Sequence, residues 1–418
     1  MSRNLKLFSG AAVLFYLAGI MNEAPALFVM AGVCAACLLG CYVISRLAVS
    51  GLSLQVELNS GHVWAGHEAE VEFTLTNIGL IPRPAAPVLV ELVNHTVVMP
   101  PQSYLFPLPP LPVGQSVHGS GAVVPPCRGE LLLQSPRLVG SDPLGMFTRL
   151  GPPLKSLPLL ALPRPIAISR DDLTSMLSEH ARLQGGSRHH RRGDFIGVRP
   201  HEATDELREV HWKLAAHAGE LLVKQYTRGR DHSVALWLDT RAANVVGEGA
   251  DSSFECQVTA AASLIQAISD CGLDQELFGE GLPVSLRSPD QGQSTCQRWL
   301  VALARVKPAG QRTFAANVAD WAAQTRAGTT VFVLTSGLES ETIGQLRGLL
   351  SRGVGVRVLL CGTTTVPDEM RGQQLAAKTA LHSAGVPAAM AEGMASLPRA
   401  IADLATVRVS GGRGVLQP

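Results

Sequence analysis

The chain opens with two apolar stretches and then changes to a different periodicity. Residues 7–22 and residues 24–45 contain no charged side chain, and a short Asn-Glu-Ala-Pro connection joins them. A run of about 20 apolar residues is long enough for a helix to cross the hydrocarbon core of a bilayer. The connection carries turn and helix-start residues. The pattern predicts a two-helix transmembrane hairpin over residues 1–47.

Charged residues flank this hairpin unevenly. Arg3 and Lys6 precede it and Arg46 follows it, whereas the connecting turn carries only Glu23. The positive-inside rule then predicts a multi-pass protein of the inner cell membrane whose later domains face the cytoplasm. A cleaved signal peptide is an alternative, which the second apolar stretch disfavours. Two buried helices of a soluble core are a further alternative.

Alternating apolar and polar residues follow the hairpin in short segments. Residues 52–58 and 69–77 are the clearest of these segments, and Gly, Pro, Asn and His separate them from the others. Alternation with turn residues between predicts antiparallel strands. We therefore expect an all-β, sandwich-like domain over residues 48–160. The proline-rich stretch from Pro100 to Pro112 is predicted to be a stiff connection rather than a strand.

Short apolar segments alternate with amphipathic ones in the last part of the chain. Strands are predicted at 232–240, 282–288, 329–336 and 354–362, with helices between them. This alternation is typical of parallel strands joined by right-handed crossovers. We therefore predict a doubly wound α/β domain over residues 231–418.

The carboxyl ends of these strands are where such folds bind ligands. Here those ends are Asp239, Ser336 and Gly362. The phosphate-binding patterns G-x-G-x-x-G and G-x-x-x-x-G-K-[ST] do not follow any of the predicted strands, which disfavours a nucleotide site. We therefore predict no cofactor.

Composition narrows the function classes. The net charge is +1 with interspersed signs, and aromatic residues make up only 5% of the chain. A nucleic-acid partner is disfavoured because it would call for a basic, aromatic-bearing face. Of eight cysteines, Cys34, Cys37 and Cys41 lie in the second apolar stretch and the others are scattered. That spacing fits a reducing compartment and disfavours a structural zinc site.

Charge is concentrated in one segment before the α/β domain. Residues 191–228 hold seven Lys or Arg, six Asp or Glu and three His within 38 residues. The segment is predicted to be a loop, a short helix ended by Gly219, and an edge-like strand. Solvated ion pairs are one interpretation, but Trp212 among the charges is typical of an interaction surface. A hydrolase or anion-binding enzyme using the His and Arg residues of 188–213 is the alternative.

This segment resembles the signature of the domain of unknown function 58 family. His211 stands where that family usually has Asp, and Asp142, Pro143 and Gly145 resemble a second family motif upstream. The positions that match the main signature are Gly193, Phe195, Arg199, Asp205, Arg208, Trp212, Lys213, Leu222, Val223 and Lys224.

The resemblance implies an α/β domain similar to von Willebrand factor A domains and a MoxR-type AAA ATPase as partner. No enzymatic activity is established for that family, so no residue is assigned as catalytic. We expect a membrane-anchored adaptor or scaffold that contacts the bilayer, the ATPase and client proteins, but no nucleic acid. The signature segment and linker, residues 161–230, would be a docking or domain-packing surface.

A metal site is not expected at the end of the first α/β strand. Von Willebrand factor A domains that bind Mg²⁺ carry D-x-S-x-S there, and this chain retains Asp239 but has Arg241 and Ala243 at the serine positions. Ser336 and Gly337 stand where an acidic residue is often found. A permanent guanidinium charge opposes a divalent cation. We expect Asp239 to pair with Arg241 or to cap a turn.

Overall fold

The computed structural model describes residues 3–183, 195–200, 210–226, 233–282, 292–365 and 368–406. The chain divides into two units, Met1–Leu162 and Pro163–Pro418. The first unit holds two apolar helices and a sheet-rich region, and the second holds an α/β domain with a parallel sheet. This order of elements confirms the coarse architecture that the hydrophobic pattern predicts.

Two long helices, α1 (Arg3–Asn22) and α2 (Pro25–Leu47), form a hairpin at the start of the first unit. Glu23 takes a left-handed conformation, with φ 46°, in the turn between them. The Tyr16 and Phe28 rings meet edge to face across the hairpin, with centroids 5.7 Å apart. Both helices are long and apolar enough to cross a membrane, judged by length and composition.

The strands that follow the hairpin form two sheets around one hydrophobic core. Phe73 and Leu75 enter this core from one sheet, and Val88 and Leu133 enter it from the other. The strands are β1 (Leu52–Leu58), β2 (His62–Trp64), β3 (Ala69–Asn77), β4 (Val88–Asn94), β5 (Gln102–Phe106), β6 (Ser116–Val123), β7 (Gly129–Ser141), β8 (Thr148–Leu150) and β9 (Leu157–Leu162). One sheet has the order β1-β3-β6, and the other has the order β2-β9-β7-β4-β5 with β8 beside β7.

One strand lies where the sequence predicts only a connection. β5 falls inside the proline-rich stretch, so the prediction of a strand-free connection is wrong for residues 102–106. β5 ends the order of its sheet and pairs with β4. Prolines are tolerated beside an edge strand because one side of such a strand has no partner, so a missing N–H group there breaks no inter-strand hydrogen bond.

The hairpin packs on the sheet-rich region through close contacts at the end of α2. Gly140 in β7 leaves room for the helix end, because a Cβ there would lie 2.9 Å from both the Ala48 Cβ and the Ser45 carbonyl oxygen. The Tyr42 and Phe147 rings meet edge to face with centroids 5.7 Å apart.

The second unit carries a parallel sheet with helices around it. A helix and a small ribbon come first: α3 (Arg170–Leu183), β10 (Phe195–Pro200), α4 (Trp212–Ala218) and β11 (Leu222–Tyr226). The sheet strands are β12 (Ser233–Leu238), β13 (Asp274–Phe278), β14 (Thr330–Thr335), β15 (Gly355–Cys361) and β16 (Ala388–Ala391). The helices are α5 (Ser253–Asp270), α6 (Gly292–Arg305), α7 (Phe314–Gln324), α8 (Ser340–Ser351), α9 (Asp368–Ser383) and α10 (Leu397–Thr406).

The sheet reverses its direction of growth at its first strand. Its order is β13-β12-β14-β15-β16, and each of the neighbouring pairs is parallel. β13 therefore lies on one side of β12 and the later strands lie on the other. Such a switch point opens a crevice at the carboxyl ends of the two strands that flank it, here β12 and β14.

The second strand of this sheet is not the one that the sequence predicts. β13 pairs with β12 over residues 274–278, whereas the prediction placed a strand at 282–288. Leu282 lies in a bend, and residues 283–288 lie outside the described part of the chain. β13 was not predicted because it is an edge strand with polar, partly exposed residues, which do not form a buried apolar run.

Candidate functional site

The described part of the charged segment forms a small antiparallel ribbon and a short helix. β10 pairs with β11, and the register places Phe195 opposite Tyr226 and Arg199 opposite Val223. Residues 195–200 were predicted to lie in a loop, and that prediction is wrong because they form β10. The predicted second strand is present as β11. The helix, predicted to begin near residue 205, begins only at Trp212 as α4, because Val210 pairs with Val223 in a β-bridge.

Local hydrogen bonds fix the bounds of α4. The His211 ring accepts the Leu214 N–H, with Nδ1 3.3 Å from the nitrogen. Gly219 ends the helix in a left-handed conformation, with φ 71°, which glycine adopts without the cost of a Cβ. His211, one of several histidines that the hydrolase alternative could use, therefore serves as a helix cap.

Large apolar side chains remain in solvent around this helix. Val210, Ala215 and Val223 form a small buried cluster beneath it. Trp212, in contrast, is 59% exposed, and Leu221 is 42% exposed. An exposed tryptophan on an ordered helix is the kind of side chain that anchors protein interfaces.

The residues predicted from the signature differ in how far the structure describes them. Phe195 and Arg199 on β10, Lys224 on β11, and Trp212 and Lys213 on α4 lie in this one substructure. Gly193, Asp205 and Arg208 lie outside the described residues, as do His189, His190 and His201 of the hydrolase alternative.

A second polar cluster lies at the switch point of the parallel sheet. Asp239 directly follows β12, and Thr335 ends β14, so the two residues meet at the carboxyl edge of adjacent strands. The Asp239 side chain is fully buried. A buried carboxylate requires hydrogen-bond donors or a counter-charge.

Five donors surround the Asp239 carboxylate. Oδ1 accepts the Arg241 backbone N–H at 3.1 Å and its Nε–H at 3.0 Å. Oδ2 accepts from Arg241 Nη2 at 2.9 Å, from Asn244 Nδ2 at 2.7 Å and from the Thr335 hydroxyl at 2.7 Å. Asp239 thus makes both contacts expected from the sequence, an ion pair with Arg241 and a cap on the following turn.

Arg241 joins this buried carboxylate to the surface. Its Nη1 contacts Glu339 Oε1 at 2.9 Å, and the Glu339 side chain is 53% exposed. Its guanidinium carbon also lies 5.4 Å from the centre of the Phe314 ring, within the range of a cation–π interaction. Burial lowers the pKa of the Arg241 guanidinium, but the bonds to Asp239 and Glu339 outweigh burial and raise that pKa above its ordinary value.

Neutral side chains close the rest of the crevice. The Ser336 hydroxyl donates to the Asn244 carbonyl oxygen, and it lies 3.1 Å from the Gln257 carboxamide. Gln374 Nε2 donates to the Ser336 carbonyl oxygen at 2.7 Å. Ala243 lies in the turn Ala242–Asn244 and is exposed, so it contributes no polar atom to the cluster.

This arrangement does not fit a divalent cation. A carboxylate offers about four lone-pair positions, and the five donors at Asp239 exceed that number, so no position is left for a cation. The Arg241 guanidinium takes the place that a cation would need, and its charge repels one. Among the described residues, no group of three or more His, Cys, Asp or Glu side chains is arranged to hold a metal ion.

Residues 197–361 match the family described as "Protein of unknown function DUF58". The match supports the domain of unknown function 58 family for this chain. It includes α4, β11 and the residues that contact the Asp239 carboxylate, whereas Phe195 and Gln374 lie outside the matched residues. No curated protein matches the chain.

Solved structures resemble parts of the chain only distantly. The X-ray structure of Northeast Structural Genomics Consortium target SoR45 has 9% identity, covering 27% of this chain and 88% of its own, with TM-score 0.21. The sporulation control protein Spo0M from Bacillus subtilis has 10% identity, covering 37% of this chain and 59% of its own, with TM-score 0.19. A putative beta-galactosidase from Bacteroides fragilis has 12% identity, covering 75% of this chain and 39% of its own, with TM-score 0.16.

We predict that the chain binds neither Mg²⁺ nor Mn²⁺ at Asp239, because the lone pairs and the counter-charge of this carboxylate are already supplied. Isothermal titration of the full chain in detergent with each metal would measure this, with Asp239→Asn as the control. A saturable site of about micromolar affinity that vanishes in Asp239→Asn would contradict the prediction.

Asn244, Thr335 and Glu339 of this cluster were not predicted from the sequence. Thr335 carried a usable signal, since it immediately precedes Ser336 at a predicted strand end. Asn244 and Glu339 follow strand ends by several residues, and only the turns after β12 and β14 bring them to Asp239 and Arg241.

Proposed function

We propose that this protein is a membrane-anchored adaptor without enzymatic activity, whose α/β domain faces the cytoplasm and docks a partner protein. The α4–β11 substructure supplies the docking surface. The observation that carries the proposal is Trp212, an exposed tryptophan on a capped and ordered helix. The switch-point crevice, filled by its own side chains, supports a scaffolding role rather than ligand turnover.

A MoxR-type AAA ATPase is the partner that we propose, acting in the assembly or remodelling of client proteins. The support for it is the resemblance of the signature segment to the DUF58 family and the match of residues 197–361 to that family. We further propose that the α/β domain is similar to von Willebrand factor A domains. An aspartate after the first strand, at the switch point of a parallel sheet, supports that similarity.

Trp212→Ala is expected to weaken partner binding by about 30-fold, because truncation of an interfacial tryptophan commonly costs about 2 kcal/mol. Binding would be measured between the full chain in detergent and a purified MoxR-type ATPase, by surface plasmon resonance. The melting temperature should stay unchanged because the removed side chain is mostly exposed.

Leu375→Ala is the matched control, since Leu375 lies on α9 of the same unit and is 56% exposed. It should bind the ATPase as the wild-type chain does. Equal affinity of wild type and Trp212→Ala would refute the docking surface, and absence of binding by the wild-type chain would refute the partner.

Both helices of the hairpin are proposed to span the inner membrane, with Arg3 and Arg46 on the cytoplasmic side. A green fluorescent protein fused after Pro418 should therefore fluoresce, and an alkaline phosphatase fused there should be inactive. The opposite pattern would reject the cytoplasmic orientation. Release of the fusion protein into the soluble fraction would reject the anchor.

A further inference from the structure

A short apolar loop projects from the sheet-rich region, between β3 and β4. Within Ile78–Ile81, Ile78 is 71% exposed and Leu80 is 93% exposed. Neighbouring large apolar side chains in water are unfavourable and commonly mark a contact with a partner or a membrane.

This exposure is held in place by hydrogen bonds. Asn77 is buried, and its Nδ2 donates to the Ile81 carbonyl oxygen at 3.0 Å and to the Leu111 carbonyl oxygen at 3.1 Å. Its Oδ1 accepts the Gly79 N–H at 2.9 Å. The loop therefore has a fixed shape that presents its apolar side chains outward.

The loop lies beside the end of the membrane hairpin. The Ile78 N–H donates to the Gly51 carbonyl oxygen at 3.0 Å, and Arg83 Nη1 donates to the Leu47 carbonyl oxygen at 3.2 Å. Leu47 is the last residue of α2, whose 23 residues give a length of about 35 Å. That length slightly exceeds the ~30 Å hydrocarbon core, so a spanning α2 ends in the lipid headgroup region.

A second apolar side chain lies at this same end of the hairpin, where α1 begins and α2 ends. The Leu144 carbonyl oxygen accepts a hydrogen bond from Asn4 Nδ2 at 2.8 Å. This bond places Leu144 at the start of α1. The Leu144 side chain is 42% exposed. Both helices of the hairpin thus have an exposed apolar residue of the sheet-rich region beside them at this end.

In this unit, basic side chains lie near the hairpin and exposed acidic side chains lie away from it, which is the distribution that an anionic bilayer favours. Arg46 and Arg149 contact the Tyr42 ring at the hairpin end, whereas residues 77–87 contain no acidic side chain. Exposed acidic residues lie instead toward the far ends of the strands: Glu57, Glu68, Glu70, Glu72 and Glu130. Anionic headgroups attract the basic end and repel the acidic end.

We propose that the Ile78–Ile81 loop inserts into the boundary between lipid headgroups and acyl chains, as a membrane contact additional to the hairpin. Apolar side chains of peripheral segments reach about 5–10 Å into this boundary. The contact fixes the orientation of the sheet-rich region on the bilayer. This inference rests on the proposed anchoring by α1 and α2.

Photo-cross-linking tests the contact. The full chain, with p-benzoylphenylalanine in place of Leu80, would be reconstituted into nanodiscs of phosphatidylethanolamine and phosphatidylglycerol, and lipid adducts would be measured by mass spectrometry. Val98 is the matched control because it is 91% exposed and follows β4, whose last residues pair with the start of β7. β7 has 13 residues, so its two ends are about 40 Å apart. Val98 lies near the first end of β7, and the hairpin packs on the other end. Val29, which is 66% exposed on α2, reports whether the hairpin lies in lipid.

Position 80 is expected to give roughly ten-fold more acyl-chain adduct than position 98, as insertion into the acyl boundary requires. Strong lipid adducts at position 29, together with only background adducts at positions 80 and 98, would overturn the loop contact. The same result would still support membrane anchoring by the hairpin. Cross-linking of position 80 to protein instead of lipid would also overturn it. A lack of adducts at 29 would overturn the anchor and the loop contact together.

Discussion

Arg241→Ala is expected to lower the free energy of unfolding of the α/β domain by about 3–5 kcal/mol, the usual result of removing one partner from a buried ion pair. The variant leaves the Asp239 carboxylate buried and takes away the two side-chain donors of Arg241, although the backbone N–H at residue 241 can remain. The lost bonds to Nε and Nη2 are charge-assisted, which makes them stronger than neutral ones.

Urea unfolding of the full chain in detergent would measure this loss, with pulsed thiol labelling read by mass spectrometry at each cysteine. Cys361 is fully buried in β15 and reports the α/β domain, while Cys127 is buried in the first unit and should respond as in the wild-type chain. The control is Glu339→Gln, which removes the charge of the exposed partner of Arg241 and should cost about 0–1 kcal/mol.

A double-mutant comparison sharpens the test. In an Asp239→Asn background, Arg241→Ala no longer leaves a buried charge. The loss in free energy of unfolding caused by Arg241→Ala should therefore be well under half of its loss in the wild-type background. An Arg241→Ala cost that is small in the wild-type background, or that is the same in both backgrounds, would show that the ion pair does not hold the switch point together.

Asp142→Ala is expected to destabilise the sheet-rich region by about 2–4 kcal/mol, since each buried donor left without an acceptor costs about 1–3 kcal/mol. Asp142 is 4% exposed, and its carboxylate accepts the Leu144 N–H at 3.0 Å and the Phe147 N–H at 2.6 Å. The turn that it holds also carries the Leu144 contact to the start of α1.

Peroxide oxidation of methionine in increasing urea would follow this unit, because Met146 is 3% exposed within the same turn. Ser141→Ala is the control at the neighbouring exposed position and should leave the unfolding midpoint unchanged. A midpoint for Asp142→Ala equal to that of Ser141→Ala would contradict the role given to the carboxylate.

The stabilisation by Asp142 should depend on pH with a defined sign. Burial raises the pKa of this carboxyl, but the N–H groups of Phe147, Met146 and Leu144 and the Cys41 thiol outweigh burial and lower its pKa below the ordinary value. A lowered folded pKa means that the stabilisation is complete above the ordinary value of about 4 and is lost as the pH falls through the folded value. The difference between wild type and Asp142→Ala should therefore be constant above about pH 5 and shrink below about pH 4.

Strong hydrophobic patterns made several elements predictable. The hairpin helices, the alternating strands β1 and β3, and the buried strands β12, β14 and β15 follow from their apolar periodicity alone. Edge strands lack such a periodicity and were not predicted. β5 lies among prolines and β13 is polar, and both are strands because a neighbouring strand supplies their hydrogen bonds.

The sequence by itself determined that two apolar helices precede a sheet-rich region and a parallel α/β domain, because these features depend on local periodicity. It also determined that an arginine stands two residues after Asp239. Only the tertiary structure decided what that arginine does, since Asn244, Thr335 and Glu339 reach the cluster through the turns after two adjacent strands. Likewise, nothing in the sequence distinguishes Leu80 from the other apolar residues of this region. Its place beside the end of α2 follows from the packing of the sheets on the hairpin, which brings residues about 30 positions apart into contact.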